Sequence, residues 1–296
     1  MSTPRSAPRS SRSAANAWKR SRRRKNRRRR ERPDRHPRQP PCATMQGMSF
    51  RKLKTLLVAA ALALPLAAPA APLKVGGFVV APLITGHATA PLQGALRDYV
   101  EQEVVKRAGI ELVWTPPTSI PRAMENLRTG AIDILLLTSG RIDTPGIVPA
   151  TWHFLRTQPH LAVLKTSPLQ SVQSLQQLAG VEIGWAGGTL VPPALADIPI
   201  QWQFLTVADW QTANLRKLKM GRIQAVFFEN EYSPRYYAAS EHMEIHLVKL
   251  PMQERQFTMA YSPKADREAV AQFDKAAAAA FANEQFRVFL EQYMKH

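Results

Sequence analysis

"LRTGAIDILLL", residues 127–137, is followed 91 residues later by a related stretch, "LKMGRIQAVFF", residues 218–228. Each begins with Leu, has glycine in the fourth position and continues into an apolar run. A glycine often ends a helix, because it takes the left-handed conformation without a steric penalty. The apolar run is too short for a buried helix and suits a strand covered on both faces. The sequence therefore predicts two copies of a helix–glycine–buried-strand unit.

The hydrophobic pattern around each copy predicts a larger α/β segment. In the first segment we expect a strand at 73–80, a helix at 92–109, a strand at 110–114, a helix from about Pro121 and a strand at 131–137. In the second we expect strands at 161–165, 181–186, 202–207 and 223–228, with a short helix at 171–180 and a helix at 209–221, then a strand at 257–262 and a helix from Arg267. This order predicts parallel strands joined by right-handed crossovers.

The formal net charge of +18 belongs almost entirely to the start of the chain. Residues 1–70 hold 19 Lys and Arg against two acidic residues, whereas residues 71–296 hold 21 Lys and Arg against 20 Asp and Glu. A large excess of positive charge is typical of nucleic-acid-binding proteins, but the body of this chain is nearly neutral. We therefore expect the body to bind no nucleic acid. Its length allows two globular domains.

The basic start divides into two parts. Residues 1–44 are rich in Arg, Ser and Pro, and such a composition predicts disorder. Residues 45–70 have the basic, then apolar pattern of a secretory signal peptide, with Ala68 and Ala70 in A-x-A spacing. We expect cleavage after Ala70 and interpret residues 1–44 as an over-extended gene model. The alternative is a genuine basic tail that binds nucleic acid.

Cysteine usage agrees with export. Cys42 is the only cysteine, and it precedes the apolar run, so neither a lipid anchor nor a disulfide is expected in the mature protein. No later apolar stretch approaches the ~20 residues of a membrane helix. We expect a periplasmic protein that is not inserted into the membrane.

Signatures of enzymes and metal sites are weak. The sequence has no G-x-x-x-x-G-K-[ST], H-E-x-x-H, G-x-S-x-G or C-x-x-C motif, so we expect neither catalysis nor a cofactor. His242, Glu244 and His246 alternate and could hold a metal on one strand face. They could equally form a polar surface edge, and we expect no metal site.

Four stretches together resemble the family 3 extracellular solute-binding proteins, which are periplasmic receptors for amino acids and similar small polar solutes. They are "LKVGGFVVAPL" (73–83), "IPRAMENLRTGAIDILLL" (120–137), "SVQSLQQLAGVEIGWAGGTL" (171–190) and "LRKLKMGRIQAVFFEN" (215–230). The resemblance implies an α/β fold of the type II periplasmic binding protein kind. In this fold two lobes, each a mainly parallel sheet flanked by helices, are joined by two crossing strands. Lobe 1 would hold residues 71–157 and 251–296, and lobe 2 residues 158–250.

The ligand site is expected between the lobes, beyond the carboxyl ends of the parallel strands. The residues that follow predicted strands there are Thr138, Ser139, Arg141, Gly188, Thr189 and Glu229. The resemblance assigns the carboxylate-binding Arg of the family to Arg141, and the acidic residue that holds an amino group to Glu229. The alternatives are a solvated loop for Arg141 and a pair with Arg235 for Glu229.

Three further residues are candidates for ligand contacts. Arg122, at a helix start, could contact an anion or only carry a surface charge. Phe78 and Trp114 lie near strand ends and could stack on the ligand, or be buried in the lobe core.

The resemblance implies a monomer that binds a small solute and delivers it to the membrane subunits of an ABC importer. Two alternatives stay open: a ligand-sensing module without a transporter, and a dehydratase-type enzyme on the same fold.

Overall fold

The computed structural model describes residues 71–139 and 145–295, so the predicted leader, the signal peptide and Arg141 lie outside it. The described strands form two sheets, and each sheet has its own apolar core. The strands are β1 Leu73–Gly76, β2 Leu112–Trp114, β3 Ile134–Thr138, β4 Val148–Pro149, β5 Leu155–Thr157, β6 His160–Leu164, β7 Glu182–Ala186, β8 Gln201–Leu205, β9 Ala225–Phe228, β10 Ile245–Lys249 and β11 Arg255–Tyr261.

The helices lie between and after these strands. Helix α1 has α-helical turns at Ala95–Tyr99 and Lys106–Ala108 on either side of a π-helical part at Val100–Val105. The other helices are α2 Ile120–Thr129, α3 Pro193–Ala196, α4 Trp210–Lys219, α5 Tyr232–Ser240, α6 Arg267–Ala280 and α7 Gln285–Tyr293. Short 3₁₀ turns occur at Leu175–Leu178 and Ala282–Glu284. None of the helices in the described ranges is long and apolar enough to cross a membrane.

The first sheet has the order β2-β1-β3-β11-β4, and β5 also pairs with β11. Strands β1, β2 and β3 are parallel, whereas β11 runs antiparallel to β3. The parallel part is the β-α-β-α-β segment that the sequence predicts. We call this sheet and the helices packed on it lobe 1.

The second sheet, which with its helices is called lobe 2, has the order β10-β6-β9-β7-β8. Strands β7, β8 and β9 are parallel, and β6 and β10 are antiparallel additions at one side. Each lobe therefore has a parallel part whose strands end together at one edge of the sheet.

Two short connections join the lobes. Strand β5 leads through Gln158 and Pro159 into β6, and β10 leads through residues 250–254 into β11. In lobe 1, the strands at the ends of these two connections, β5 and β11, pair with each other. They run antiparallel, with Thr157 opposite Arg255. These are the two crossing strands that the family resemblance implies.

The repeated unit has the predicted structure in both lobes. Helix α2 ends at Thr129, and Gly130 follows with φ 77°. Helix α4 ends at Lys219, and Gly221 takes φ 67° after one intervening residue. The strands that follow, β3 and β9, are buried along almost their whole length. The two central strands are thus positioned by the same local chemistry.

The predicted strand at 73–80 is wrong in its second half. Beyond Gly76 the chain turns, and the N–H and C=O of Val80 pair with the backbone of Ile84. These groups are used in a tight turn and cannot extend the sheet. The helix predicted at 171–180 is a single 3₁₀ turn.

Lobe 2 is centred on an aromatic cluster. The Phe227 ring is fully buried and lies edge-on to Trp185, at 4.6 Å between ring centroids, and to Trp202, at 6.2 Å. Trp185 in turn contacts Trp210 at 5.2 Å. This cluster couples strands β7, β8 and β9 to the start of α4.

We expect Phe227→Ala to lower the free energy of unfolding by about 3–5 kcal/mol, because it leaves a cavity among these rings. The matched control is Phe204→Ala on strand β8 of the same sheet, where the residue is 46% exposed and the cost should be well below half of that. Chemical denaturation of both variants measures the difference. Equal losses would contradict the packing described for lobe 2.

Candidate functional site

A cavity of about 420 Å³ lies between the two lobes. Its walls are formed by residues just beyond β1 and β3 of lobe 1 and beyond β7 and β9 of lobe 2. Helices α2 and α4 contribute Met124 and Gln211. Ligands of open α/β sheets bind at this position, outside the carboxyl ends of the parallel strands. The cavity is therefore the candidate binding site.

Six of the residues predicted from sequence line this cavity. They are Phe78, Thr138, Ser139, Gly188, Thr189 and Glu229. Phe78 is only 8% exposed, so its ring forms part of the wall and of the lobe 1 core. The hydroxyl of Thr189 donates to the backbone oxygen of Ala186 at 2.7 Å, which fixes the turn after β7.

Two other predicted residues lie outside the lining of the cavity. The indole N–H of Trp114 donates to Glu101 Oε1 at 2.5 Å, and the guanidinium of Arg97 lies 5.3 Å from the centre of its ring. Trp114 also packs against the lobe 1 core, which is the alternative that the sequence left open. Arg122 is exposed in the first turn of α2.

Glu229 takes part in a contact between the lobes that the sequence did not predict. One of its carboxylate oxygens accepts a hydrogen bond from the hydroxyl of Ser139. The other, Oε1, accepts from Arg255 Nε at 2.8 Å and lies 2.6 Å from Arg255 Nη2. Its described ion-pair partner is thus Arg255 rather than Arg235. We call Ser139, Glu229 and Arg255 the interlobe bridge.

The bridge joins three elements because of where their ends lie. Ser139 follows β3 in lobe 1, Glu229 follows β9 in lobe 2, and Arg255 begins the crossing strand β11. The Glu229 and Arg255 side chains are 16% and 25% exposed, so water screens the pair less than at an open surface. Thr157 on β5 adds a hydrogen bond from its hydroxyl to the backbone oxygen of Glu229 at 2.6 Å.

Two further contacts bring the lobes together at the cavity rim. A Cβ placed on Gly188 of lobe 2 would lie 2.3 Å from Pro121 Cγ of lobe 1, so only glycine permits this approach. On another side, the backbone N–H of Ala81 donates to the hydroxyl of Tyr237 at 3.4 Å. Burial raises the pKa of Tyr237, which keeps this hydroxyl protonated. The two lobes are therefore in direct contact on more than one side of the cavity.

One part of the cavity wall carries buried polar atoms with no hydrogen-bond partner among the described residues. They are the indole nitrogens of Trp185 and Trp210 and the amide oxygen of Gln211. These side chains are at most 4% exposed. Leaving a buried polar group unpaired costs about 1–3 kcal/mol, so folded proteins normally satisfy such groups.

Sequence reasoning missed Arg255, Trp185, Trp210 and Gln211. Arg255 reaches the site because β11 is antiparallel to β3, so the start of β11 lies beside the end of β3. Trp185 and Trp210 had the appearance of ordinary core residues. The available signal was their place at a predicted strand end and a predicted helix start.

The alternating triad of His242, Glu244 and His246 does not form a cluster. Only His246 lies in β10, and its Nε2 is 2.9 Å from the backbone oxygen of Gln170. Glu244 pairs with Lys165 at 3.3 Å on the surface. Within the part of the chain that the structure describes, no three His, Cys, Asp or Glu side chains are placed to hold a metal ion.

Comparison with known proteins gives matches in fold. No protein-family model and no curated protein matches the sequence. The amino acid ABC transporter substrate-binding protein AbpA from Streptococcus pneumoniae, bound to L-arginine, matches with a TM-score of 0.60 and 17% identity, over 76% of this chain and 94% of that one. An ancestral arginine-binding protein bound to glutamine matches at 0.58 and 18%, over 76% and 98%. The GluR0 ligand-binding core with L-glutamate matches at 0.61 and 15%, over 76% and 99%.

The chain has the two-lobed fold of periplasmic binding proteins. This confirms the fold that the sequence motifs predict. In this periplasmic-binding-protein fold the two crossing strands are the covalent links between lobes, and the cavity lies between the lobes. By their printed names, the three structures above are binding proteins or ligand-binding cores.

We expect Glu229→Gln to favour the open arrangement of the ligand-free protein, because an amide cannot replace the charged partner of Arg255. The shift in the open–closed equilibrium should be roughly 1.5–3 kcal/mol, the usual strength of a hydrogen bond to a charged group. Small-angle X-ray scattering should report a larger radius of gyration. A charge-matched control is Glu244→Gln on the surface, which should leave the radius unchanged. A radius unaltered by Glu229→Gln would show that the bridge does not hold the lobes.

Proposed function

We propose that the chain is a periplasmic solute-binding protein that captures one small organic solute in the cavity between its lobes. The observation that supports this most strongly is the cavity itself. Both lobes contribute to its walls, at the carboxyl ends of their parallel strands. The proposed solute is of the size of an amino acid or a related carboxylate or amine, as the proteins with similar folds are named for binding arginine, glutamine and glutamate.

Binding is proposed to act by closure of the lobes without chemistry. Only the closed arrangement lets both lobes contact a ligand at once, so a ligand shifts the equilibrium toward it. A dehydratase-type reaction would need an acid–base pair in the cavity. Among the described lining residues the one carboxylate is Glu229, and Arg255 and Ser139 already bind it. This supports a binding protein rather than an enzyme.

Specific roles are proposed for the site residues. Arg141, three residues beyond the end of β3, would bind a carboxylate of the solute through two parallel hydrogen bonds. Thr138, Ser139 and Thr189 would offer hydroxyl groups. We assign Glu229 to the interlobe bridge rather than to the amino group of the solute, because its two oxygens already have partners.

The cellular setting is also a proposal. The signal peptide would be removed after Ala70, and a monomer made of lobe 1 (71–157 and 251–296) and lobe 2 (158–250) would act in the periplasm. Delivery to the membrane subunits of an ABC importer is supported by the printed name of the streptococcal structure. A second candidate is a ligand-sensing module without a transporter, which the fold match to the GluR0 ligand-binding core supports.

The first test of this proposal is a thermal-shift screen against amino acids, amines, organic acids and sugars. A solute present at 100 times its Kd should stabilise the protein by about 2.7 kcal/mol, because it binds the folded state alone. One class of solute should raise the melting temperature clearly above the rest. A screen in which every class leaves the melting temperature unchanged would contradict the binding function.

The second test concerns the cationic contact. We expect Arg141→Ala to weaken binding of a carboxylate solute by roughly 2–5 kcal/mol, because the carboxylate of the solute would then be buried without a partner. Arg122→Ala is the matched control, since Arg122 is exposed and outside the cavity lining, and it should bind as the parent does. Isothermal titration calorimetry compares the three proteins. Parent-like binding by Arg141→Ala would show that the carboxylate is held elsewhere.

A further inference from the structure

The side chains that line the cavity indicate which class of solute would fit it. This inference rests on the proposed binding function. Aromatic and aliphatic side chains form most of the lining. On the lobe 1 side these include Phe78, Met124 and Phe257, and on the lobe 2 side Trp185 and Trp210. Four of the five are less than 9% exposed, so they are fixed by packing. A ligand body placed between them would contact apolar surface from both lobes.

The charges on the described part of the cavity lining are already compensated. Among the described lining residues the charged side chains are Glu229 and Arg255, and they bind each other at 2.6 Å. A solute with a guanidinium, ammonium or carboxylate in its side chain would therefore lack a free counter-charge on these walls. Burying an unpaired charge is strongly unfavourable. A charged ligand body is thus disfavoured by this lining.

The polar groups of the described walls are few, and several already have partners, since the Ser139 hydroxyl donates to Glu229 and the Thr189 hydroxyl donates to the backbone oxygen of Ala186. Asn230 is buried, but its side-chain oxygen already accepts from the backbone N–H of Ser233 at 2.7 Å. The Trp185 and Trp210 indole nitrogens and the Gln211 amide oxygen, at the end of β7 and the start of α4, have no partner among the described residues, but these atoms are themselves buried and add no exposed polar surface to the walls. This favours a ligand with one polar end and an apolar remainder.

We infer that the solute has an apolar body, aromatic or branched aliphatic, with a single polar end. A hydrophobic amino acid and a small aromatic or branched carboxylate share this chemistry. The volume of about 420 Å³ is of the size found for small-molecule pockets. In this respect the site differs from a pocket for arginine or glutamine, the ligands named for two of the similar structures.

Calorimetry with the full chain and two panels of amino acids tests this inference. The apolar panel is phenylalanine, leucine and isoleucine, and the polar panel is arginine, lysine, glutamine and glutamate, so the amino-acid backbone is constant. We expect the best apolar member to bind at least tenfold tighter than the best polar member. A third panel of phenylpropionate and 4-methylpentanoate separates amino acids from simple carboxylates.

The outcomes distinguish this inference from the proposed function. Equal or tighter binding by the polar panel would overturn the apolar class and leave the binding function standing. Binding by the third panel alone would support the apolar class and identify a simple carboxylate. If no member of any panel binds, the apolar class is overturned, and the broader screen with sugars and amines then decides the binding function separately.

A variant pair tests whether the apolar wall sets the preference. Met124→Gln keeps the shape of a cavity-lining side chain but adds an amide, and we expect it to weaken the best apolar ligand about tenfold. Met220→Gln makes the same change at a position 64% exposed and outside the lining, and should leave affinity unchanged. Equal affinities for Met124→Gln and the parent would show that this wall does not contact the ligand.

Discussion

The carboxylate of Glu229 has partners on both sides of the cavity. It accepts a hydrogen bond from Ser139 of lobe 1 and pairs with Arg255 at the start of a crossing strand, whereas its own backbone belongs to lobe 2. A largely buried carboxylate needs such partners, and one of them, Ser139, belongs to the other lobe. The bridge therefore links the position of the lobes to the electrostatics of the site.

This link has a consequence for recognition. Since Glu229 and Arg255 satisfy each other, neither is free to bind a charged ligand on the described walls. The remaining described lining is mainly aromatic and aliphatic. Under the proposed binding function, the ion pair would hold the geometry of the site, and apolar contact would provide most of the selectivity.

Local sequence patterns were sufficient to predict the frame of the molecule. The helix–glycine–strand units at 127–137 and 218–228 were predictable, because a left-handed glycine and a buried apolar run are local requirements. Their strand ends locate the cavity, and most residues predicted for its lining follow from that rule. The start of β1 was also predictable, but its length was not, since the turn between Val80 and Ile84 competes with the sheet.

The rest of the site depends on contacts between distant residues. Arg255 reaches Glu229 through the pairing of β11 with β3, which no local pattern reports. Trp114 has the same strand-end signal as Phe78, yet Glu101 binds its indole and holds it in lobe 1 away from the cavity lining. A position at a strand end predicts where a residue lies along the sheet, but the residues packed around it determine what its side chain contacts.

Hydrogen–deuterium exchange with and without a saturating solute from the screen tests the central claim most directly. If the solute binds between the lobes, protection should increase together at the ends of β3, β7 and β9 and at the start of β11, which lie in both lobes and at a crossing strand. Helix α6, which contributes no residue to the described cavity lining, should exchange equally in both states. Protection confined to one lobe, or strongest away from these strand ends, would contradict the account.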